Sequence, residues 1–235
     1  MAKAKLFLIP VTLGDNETIP KVLPQYVLDT VRSLKHFIVE KNRTARRFVS
    51  AARHPMPIES LHFYELDKHN AAQDIKALMK PLFRGESMGL MSEAGTPAVA
   101  DPGSKVVESA HQNGIEVVPL TGPNSLLLAL MASGLNGQGF VFHGYLPVKH
   151  PDRIKKLKEI EKEAKNRQQT QIFIETPYRN MQLFQTMINS LHPQTKLCIA
   201  CDLTLPGQWI ATKTTAQWKK ETVSLHKRPT VFLIL

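Results

Sequence analysis

The segment "LMSEAGTPAVADPGS" (residues 90–104) leaves an apolar run, crosses small residues and meets Asp101-Pro102-Gly103. Gly95 and Thr96-Pro97 set a turn, and small side chains let a bound molecule reach backbone amides and carbonyls. Asp101 followed by Pro102 reads as an N-cap and first helical position. That accounts for residues 101–103 without a ligand, but not for the small residues before them. "PLTGPNS" (119–125) is a second such turn, with Gly122-Pro123 at its centre and Asn124 or Ser125 available as a cap. "PVTLGDNE" (10–17) is a third; Gly14 permits close backbone approach, yet the G-x-G-x-x-G of a dinucleotide fold is missing and a plain connection explains it equally well. The first two loops together, which follow consecutive strands and flank the expected lobe boundary, are expected to line a ligand cleft.

Charged and thiol groups offer other chemistry. In "NRTARR" (42–47), Arg43, Arg46 and Arg47 are spaced to share a helix side, as an anion-binding patch or a solvated face. "DRIKKLKEIEKEAKNR" (152–167) alternates bases and acids on an expected helix and has the same two readings. Lys and Arg outnumber Asp and Glu by 30 to 20, a formal charge of +10 that favours encounter with polyanions such as RNA. Cys198 and Cys201 form a C-x-x-C within "KLCIACDL", with no second pair and no His at finger spacing. Buried reduced thiols are the better reading, and no metal site is expected.

The elements that must carry these groups alternate along the chain. Strand-like runs at "KLFLI" (5–9), "HFIV" (36–39), "LHFYEL" (61–66), "MGLM" (88–91) and "IEVVPL" (115–120) are separated by helices near 25–34 and 42–52, over 71–83, and opening at Asp101. After "TGPNS" come an apolar helix (126–133), "FVFHGY" (140–145), the charged helix, "TQIFIE" (170–175), a helix from Tyr178, "KLCIAC" (196–201), "QWIAT" (208–212) and "TVFLIL" (230–235). The order predicts an α/β protein of two lobes, 1–120 and 121–235, each a sheet flanked by helices. The three small-residue loops follow strands, where open α/β sheets bind ligands.

With 43% hydrophobic and 21% charged residues the composition is globular, not disordered. The apolar run in "MAKAKLFLIP" breaks at Pro10 and is followed by polar residues, so it fits neither signal peptide nor anchor, and no stretch reaches a membrane span. A cytoplasmic protein is expected.

Five ordered motifs, spread over nearly the whole chain, resemble the tetrapyrrole methylase family of S-adenosylmethionine-dependent methyltransferases. Within it they resemble the branch that methylates a ribose 2′-hydroxyl of small-subunit ribosomal RNA. They are "LIPVTLG", "SEAGTPAVADPG", "VVPLTGPNSLLLALMASGL", "FVFHGYLPVK" and "IFIETPYR". The resemblance implies two α/β lobes with mixed sheets, the cofactor in the cleft between them, and a homodimer. It implies cofactor contacts from Pro10 and Leu13, from Glu93, Ala94, Gly95, Thr96 and Ala98, and from Thr121, Gly122, Pro123 and Ser125.

The chain departs from the branch at four places, one of them a turn before the first helix that is a few residues longer. Where the branch has E-D-T-R-H-T-R, this chain reads "EKNRTAR" (40–46), so Lys41 replaces an acid while Glu40, Arg43 and Arg46 remain. Ala71 follows His69-Asn70 where the branch has an acid, and Glu93 stands for Asp.

Methyl transfer is an in-line displacement, so alignment and water exclusion are the protein's main tasks. A general base or a cation near the acceptor oxygen would assist. The resemblance makes Glu40, Arg43, His69, Glu175 and Arg179 the catalytic candidates, and Arg43, Arg46 and Arg47 the RNA contacts. Each has a plainer alternative: Glu175 with Arg179 as a structural pair, His69 as a helix cap, the arginines as solvated or phosphate-holding. Three functions stay open: ribosomal RNA 2′-O-methylation, methylation of another acceptor such as a tetrapyrrole or protein side chain, and cofactor-binding RNA association without catalysis.

Overall fold

The computed structural model describes residues 4–67 and 73–235. They pack as two compact units, Met1–Asn124 and Ser125–Leu235. The division falls just after the turn that the sequence placed at the start of the second lobe.

The first unit runs β1 (Lys5–Leu8), α1 (Ile19–Val22), α2 (Gln25–Ser33), β2 (His36–Val39), α3 (Asn42–Ala51), β3 (His62–Glu65), α4 (Ile75–Leu78), α5 (Lys80–Phe83), β4 (Met88–Met91), α6 (Ser104–Gln112) and β5 (Glu116–Pro119). Its strands form one sheet in the order β3-β2-β4-β1-β5, and every pairing between them is parallel. The antiparallel component of this sheet is the single bridge between Val11 and Gly95. Successive strand residues point to opposite faces, so Phe37 and Val39 enter one buried cluster while Ile38 enters another. A parallel sheet needs both faces covered, and this one has a core on each. The carboxyl ends of β2, β4, β1 and β5 therefore lie side by side on one edge, and the residues that follow them are the small-residue loops and the start of α3.

The helix expected over 71–83 is instead two one-turn helices, α4 and α5. Pro81 stands at the start of α5; it has no N–H to donate, and its ring would clash with the carbonyl four residues back in a continuous helix. Residues 71 and 72 lie outside the described residues.

The second unit runs α7 (Ser125–Ser133), β6 (Phe140–Tyr145), α8 (His150–Arg167), β7 (Thr170–Ile174), α9 (Asn180–Ser190), β8 (Lys196–Cys201), β9 (Trp209–Thr214), α10 (Thr215–Trp218) and β10 (Thr230–Ile234). Its sheet, β6-β7-β10-β8-β9, is mixed: β6 and β7 are parallel and the remaining pairs antiparallel. Phe173 and Phe232 stack at 6.1 Å across β7 and β10. Trp218 is enclosed and donates its indole N–H to the Leu197 carbonyl at 2.8 Å. Cys198 and Cys201 are free and buried in β8, where burial pushes both thiols up. The charged helix buries Arg153, Leu157, Ile160 and Ala164 along one stripe and leaves its lysines outside. No helix among the described residues is long and apolar enough to cross a membrane.

Phe232→Ala removes a fully buried ring from the centre of the second sheet. Its expected cost is about 3–5 kcal/mol, read as a lower urea midpoint in tryptophan fluorescence. Both Trp209 and Trp218 belong to this unit, so the signal reports on it directly.

Candidate functional site

Three loops at the carboxyl edge of the first sheet are locked together by backbone contact. After β1, the Ile9 amide donates to the Leu90 carbonyl and the Val11 amide to the Gly95 carbonyl, both at 2.9 Å. Gly95 has φ +73°, and a Cβ there would sit 3.1 Å from Leu13 Cδ2 and 3.2 Å from the Pro123 carbonyl oxygen. A Cβ on Gly122 would lie 2.3 Å from both Cβ and Cγ of Pro10. Contacts of that length do not exist between real atoms, so only glycine fits. Asn124 Nδ2 donates to Thr96 Oγ1 at 2.7 Å, and the Thr121 amide donates to the Tyr26 hydroxyl oxygen at 3.0 Å; the Thr121 side chain first, and its amide second, lower the pKa of that phenol. Pro10, Leu13, Gly95, Thr96, Thr121, Gly122 and Pro123 are thus brought together as expected. Ser125 is the first residue of α7 in the second unit.

The rest of the long loop is held in an unfavourable backbone. Ala98 and Ala100 have φ of 65° and 62°, a left-handed conformation that costs an L-residue roughly 1–2 kcal/mol. Asp101 Oδ1 accepts from the Ala98 amide at 3.0 Å and the Gly103 amide at 2.7 Å. The helix begins later than the Asp-Pro pair predicted, at Ser104 with Gly103 as its cap. Asp101 closes the loop because its carboxylate folds back over Gly103, where a Cβ would stand 2.7 Å from Oδ1. Its other oxygen, Oδ2, is enclosed, and burial pushes the carboxyl up against the opposing effect of the amide hydrogen bonds.

The opposite wall comes from the start of α3. The Glu93 amide donates to Glu40 Oε1 at 3.0 Å; Lys41 Nζ lies 3.3 Å from Glu93 Oε2; Thr44 Oγ1 donates to Glu93 Oε1. Glu93 therefore ties the long loop to three residues of the α3 entry. Below it is a cavity of about 260 Å³ lined by Thr12, Gly14, Thr44, Arg47, Ser92 and Glu93, among others. The exposed Ala94 offers its carbonyl to Ser92 Oγ at 3.3 Å.

The three arginines do not act together. Arg47 lines the cavity and Arg43 is exposed, neither with an ion pair among the described residues. Arg46 turns away, 3.8 Å from Glu59 and with its guanidinium 5.5 Å from the Phe63 ring centroid. His69 lies outside the described residues.

In the second unit, Glu175 Oε1 accepts from Arg179 Nη2 and from the Thr176 amide, each at 2.6 Å. The Glu175 side chain is fully enclosed and its Oε2 has no partner, and the Glu175 hydrogen bond raises the Arg179 pKa further. This is the geometry of a pair, enclosed at its carboxylate and partly exposed at its guanidinium, that fixes the turn from β7 to α9. Beside it stand Tyr145 and Tyr178, 60% and 69% exposed, which the sequence reading passed over. Among the described residues no group of three or more His, Cys, Asp or Glu is placed to hold a metal ion.

Two contacts at this site had no usable sequence signal. Tyr26 reaches Thr121 across 95 residues of chain, and Asn124, read as a cap, links two loops. The pairing of Lys41 with Glu93 was detectable only as a charge change at a motif position.

The sequence model of the Tetrapyrrole (Corrin/Porphyrin) Methylases matches residues 5–218. The chain is 34% identical over 199 residues to the Ribosomal RNA small subunit methyltransferase I of Vibrio cholerae, covering 85% of this chain and 65% of that protein. It is 33% identical to the protein of the same name from Bacillus subtilis, covering 79% and 59%. The match to the one from Mesorhizobium japonicum is 40% over 58% of this chain and 45% of that protein. The matched stretch thus spans between 45% and 65% of these relatives' length. Among solved structures, the methyltransferase CobJ superposes with a TM-score of 0.65 at 16% identity, covering 98% of this chain and 93% of that one. Cobalt precorrin-4 methyltransferase CbiF gives 0.61 at 13%, covering 98% and 94%. At these identities the two structures share the fold.

Asp101 yields a signed pH prediction. Its raised pKa means that the folded loop binds the proton more tightly than the unfolded chain does. The stability it contributes is full below the ordinary carboxylate range and is lost as pH rises through the raised value. Asp101→Ala is expected to flatten this part of the stability profile. It also strips the Ala98 and Gly103 amides of their acceptor, at about 1–3 kcal/mol. Urea midpoints of both proteins across the acid range check both effects.

Proposed function

The chain belongs to the tetrapyrrole methylase family, and from that premise we propose that it methylates a ribose 2′-hydroxyl of small-subunit ribosomal RNA with S-adenosylmethionine as donor. The observation that carries this reading is the glycine-tight cradle at the carboxyl edge of the first sheet, where Pro10, Leu13, Gly95, Gly122 and Pro123 converge. The relatives named above supply the substrate class.

The residues present fit the donor. A loop without bulky side chains presents amides and carbonyls for its polar ends, Leu13 and Pro123 offer apolar surface, and Glu93 supplies an anion near a cationic ligand. When bound, S-adenosylmethionine provides a methyl carbon already activated by a sulfonium. The chain's part is to hold that carbon in line with the acceptor and to keep water out. We assign Glu93, Ala94, Gly95, Thr96 and Ala98 to one side of the cofactor and Thr121, Gly122, Pro123 and Ser125 to the other.

Glu40 is assigned as the carboxylate that takes the ribose proton, since it stands at the loop through the Glu93 amide. Lys41 offers positive charge to the developing alkoxide. Arg43 and Arg47 are exposed on α3 and free to meet phosphates. Arg46 is not assigned there, because Glu59 and Phe63 hold it. Arg179 with Glu175 positions the β7 turn. A cytoplasmic homodimer completes this reading.

One observation favours a second reading. Both carboxylate oxygens of Glu93 are already engaged, by Lys41 and Thr44. A protein that binds the cofactor and RNA without turnover would tolerate that lock.

Transfer of labelled methyl to small ribosomal subunits from cells lacking this gene, followed by nuclease mapping, decides between them. Alkali-stable label on one ribose is the expected result; cofactor binding with no label on the RNA would overturn the first reading in favour of the second. Gly95→Leu is expected to abolish cofactor binding in calorimetry. Arg43→Ala is expected to leave it intact while weakening RNA binding about fivefold at about 0.1 M salt, the value of one phosphate contact.

A further inference from the structure

The outer face of α8 and the turn leading into β8 enclose a second groove, of about 580 Å³, within the second unit. Lys158, Lys162 and Lys165 line it from the helix at spacings of four and three residues, and Lys196 faces them from the start of β8. All four are exposed, and none forms an ion pair among the described residues. The lone acid in the lining is Glu161, and it is occupied: its Oε1 accepts from the His192 amide at 2.8 Å and from the Thr195 hydroxyl. Glu161 thereby fixes the far wall, and its single negative charge against four lysines leaves the side chains of the lining net positive.

This differs from an ordinary solvated helix face. On such a face, acids at three- and four-residue spacing pair with the lysines, as Glu159 does with Lys156 at 3.8 Å on the same helix. Glu161, three residues from Lys158 and four from Lys165, is instead turned to His192 and Thr195 and forms no ion pair among the described residues. Here four lysines line one groove together with Ala164, Gln194, Thr195 and Leu235, and side chains with apolar stems and charged heads suit both ribose edges and phosphate oxygens. From Lys158 to Lys165 the stripe is about 10 Å long, enough to meet about three successive phosphates of a strand.

We propose that this groove is an RNA-docking surface, gripping the phosphodiester backbone of the substrate through Lys158, Lys162, Lys165 and Lys196. It rests on the reading of RNA as substrate and adds to it a second point of attachment, distinct from the α3 arginines. Such contacts carry no base preference; they raise affinity and hold the strand while another part of it is presented for reaction.

The test uses the full chain, a fluorescein-labelled single-stranded RNA of about 20 nucleotides and anisotropy titrations across a salt series. The triple variant Lys158→Gln, Lys162→Gln, Lys165→Gln keeps helix-forming residues at each position. Its expected slope of log affinity against log salt is shallower by about 2, with binding roughly 100-fold weaker at about 0.1 M salt. A control removes the same charge from exposed lysines elsewhere, Lys21→Gln, Lys219→Gln and Lys220→Gln, and is expected to change slope and affinity little.

Equal losses in the two variants would overturn the docking surface and leave only a net-charge effect. So would a triple variant that binds RNA like the parent, or a groove that takes poly-glutamate more tightly than RNA. Methyl transfer to ribosomal subunits, measured on the parent, separates the two claims. Transfer with unchanged RNA binding in the variant sinks the groove alone, and lysine-dependent RNA binding without transfer sinks the catalytic reading alone.

Discussion

In the first unit, the Gly122 backbone lies so close to Pro10 that a single added methyl would stand 2.3 Å from two ring carbons. Gly95 is pressed in the same way between Leu13 and the Pro123 carbonyl. These approaches exist because β4, β1 and β5 are parallel neighbours, so the loops leaving them meet at one edge of one sheet. Loops that close cannot carry ordinary side chains, and what they present instead is peptide N–H and C=O. The same compression explains the left-handed alanines, whose strain is held by the Asp101 carboxylate and by close packing around Gly103.

On this base the electrostatics are arranged around Glu93. It receives Thr44 and Lys41 on its two carboxylate oxygens and gives its own amide to Glu40, so the long loop and the start of α3 are tied together at three points. Lys41 is one of the residues at which this chain departs from the motif it resembles. Instead of repelling the neighbouring loop, as a second acid would, it pairs with it. The charge at the cavity mouth and the rigidity of its rim are therefore coupled through one ion pair, exposed enough that its energy is modest and its geometric effect the larger one.

The second unit divides its labour along a single helix. The inner stripe of α8 packs into the core that also holds Phe173, Phe232 and Trp218. The outer stripe displays lysines over a groove whose one acid is spent on holding the wall. The Glu175–Arg179 pair at the turn after β7 joins an enclosed carboxylate to a partly exposed guanidinium, well formed on one carboxylate oxygen. Removing Arg179 would leave the enclosed Glu175 carboxylate without its counter-charge, which is the costly way to break the pair.

Sequence alone determined the alternation of strands and helices, because period-two and near-four apolar patterns survive whatever the strands later pair with. It also located the glycine- and proline-rich loops, since those residue types are required by backbone geometry wherever they sit. It did not determine that Pro81 would split a helix in two, a competition between one proline and a long apolar pattern. Nor did it show that Asp101 would close a loop in place of capping α6. Only the tertiary structure decided which loops touch. It set Tyr26 against Thr121, turned Arg46 away from Arg43 and Arg47, and joined Lys41 to Glu93. Those outcomes depend on strand order, and strand order is fixed by which faces bury together rather than by any local run of residues.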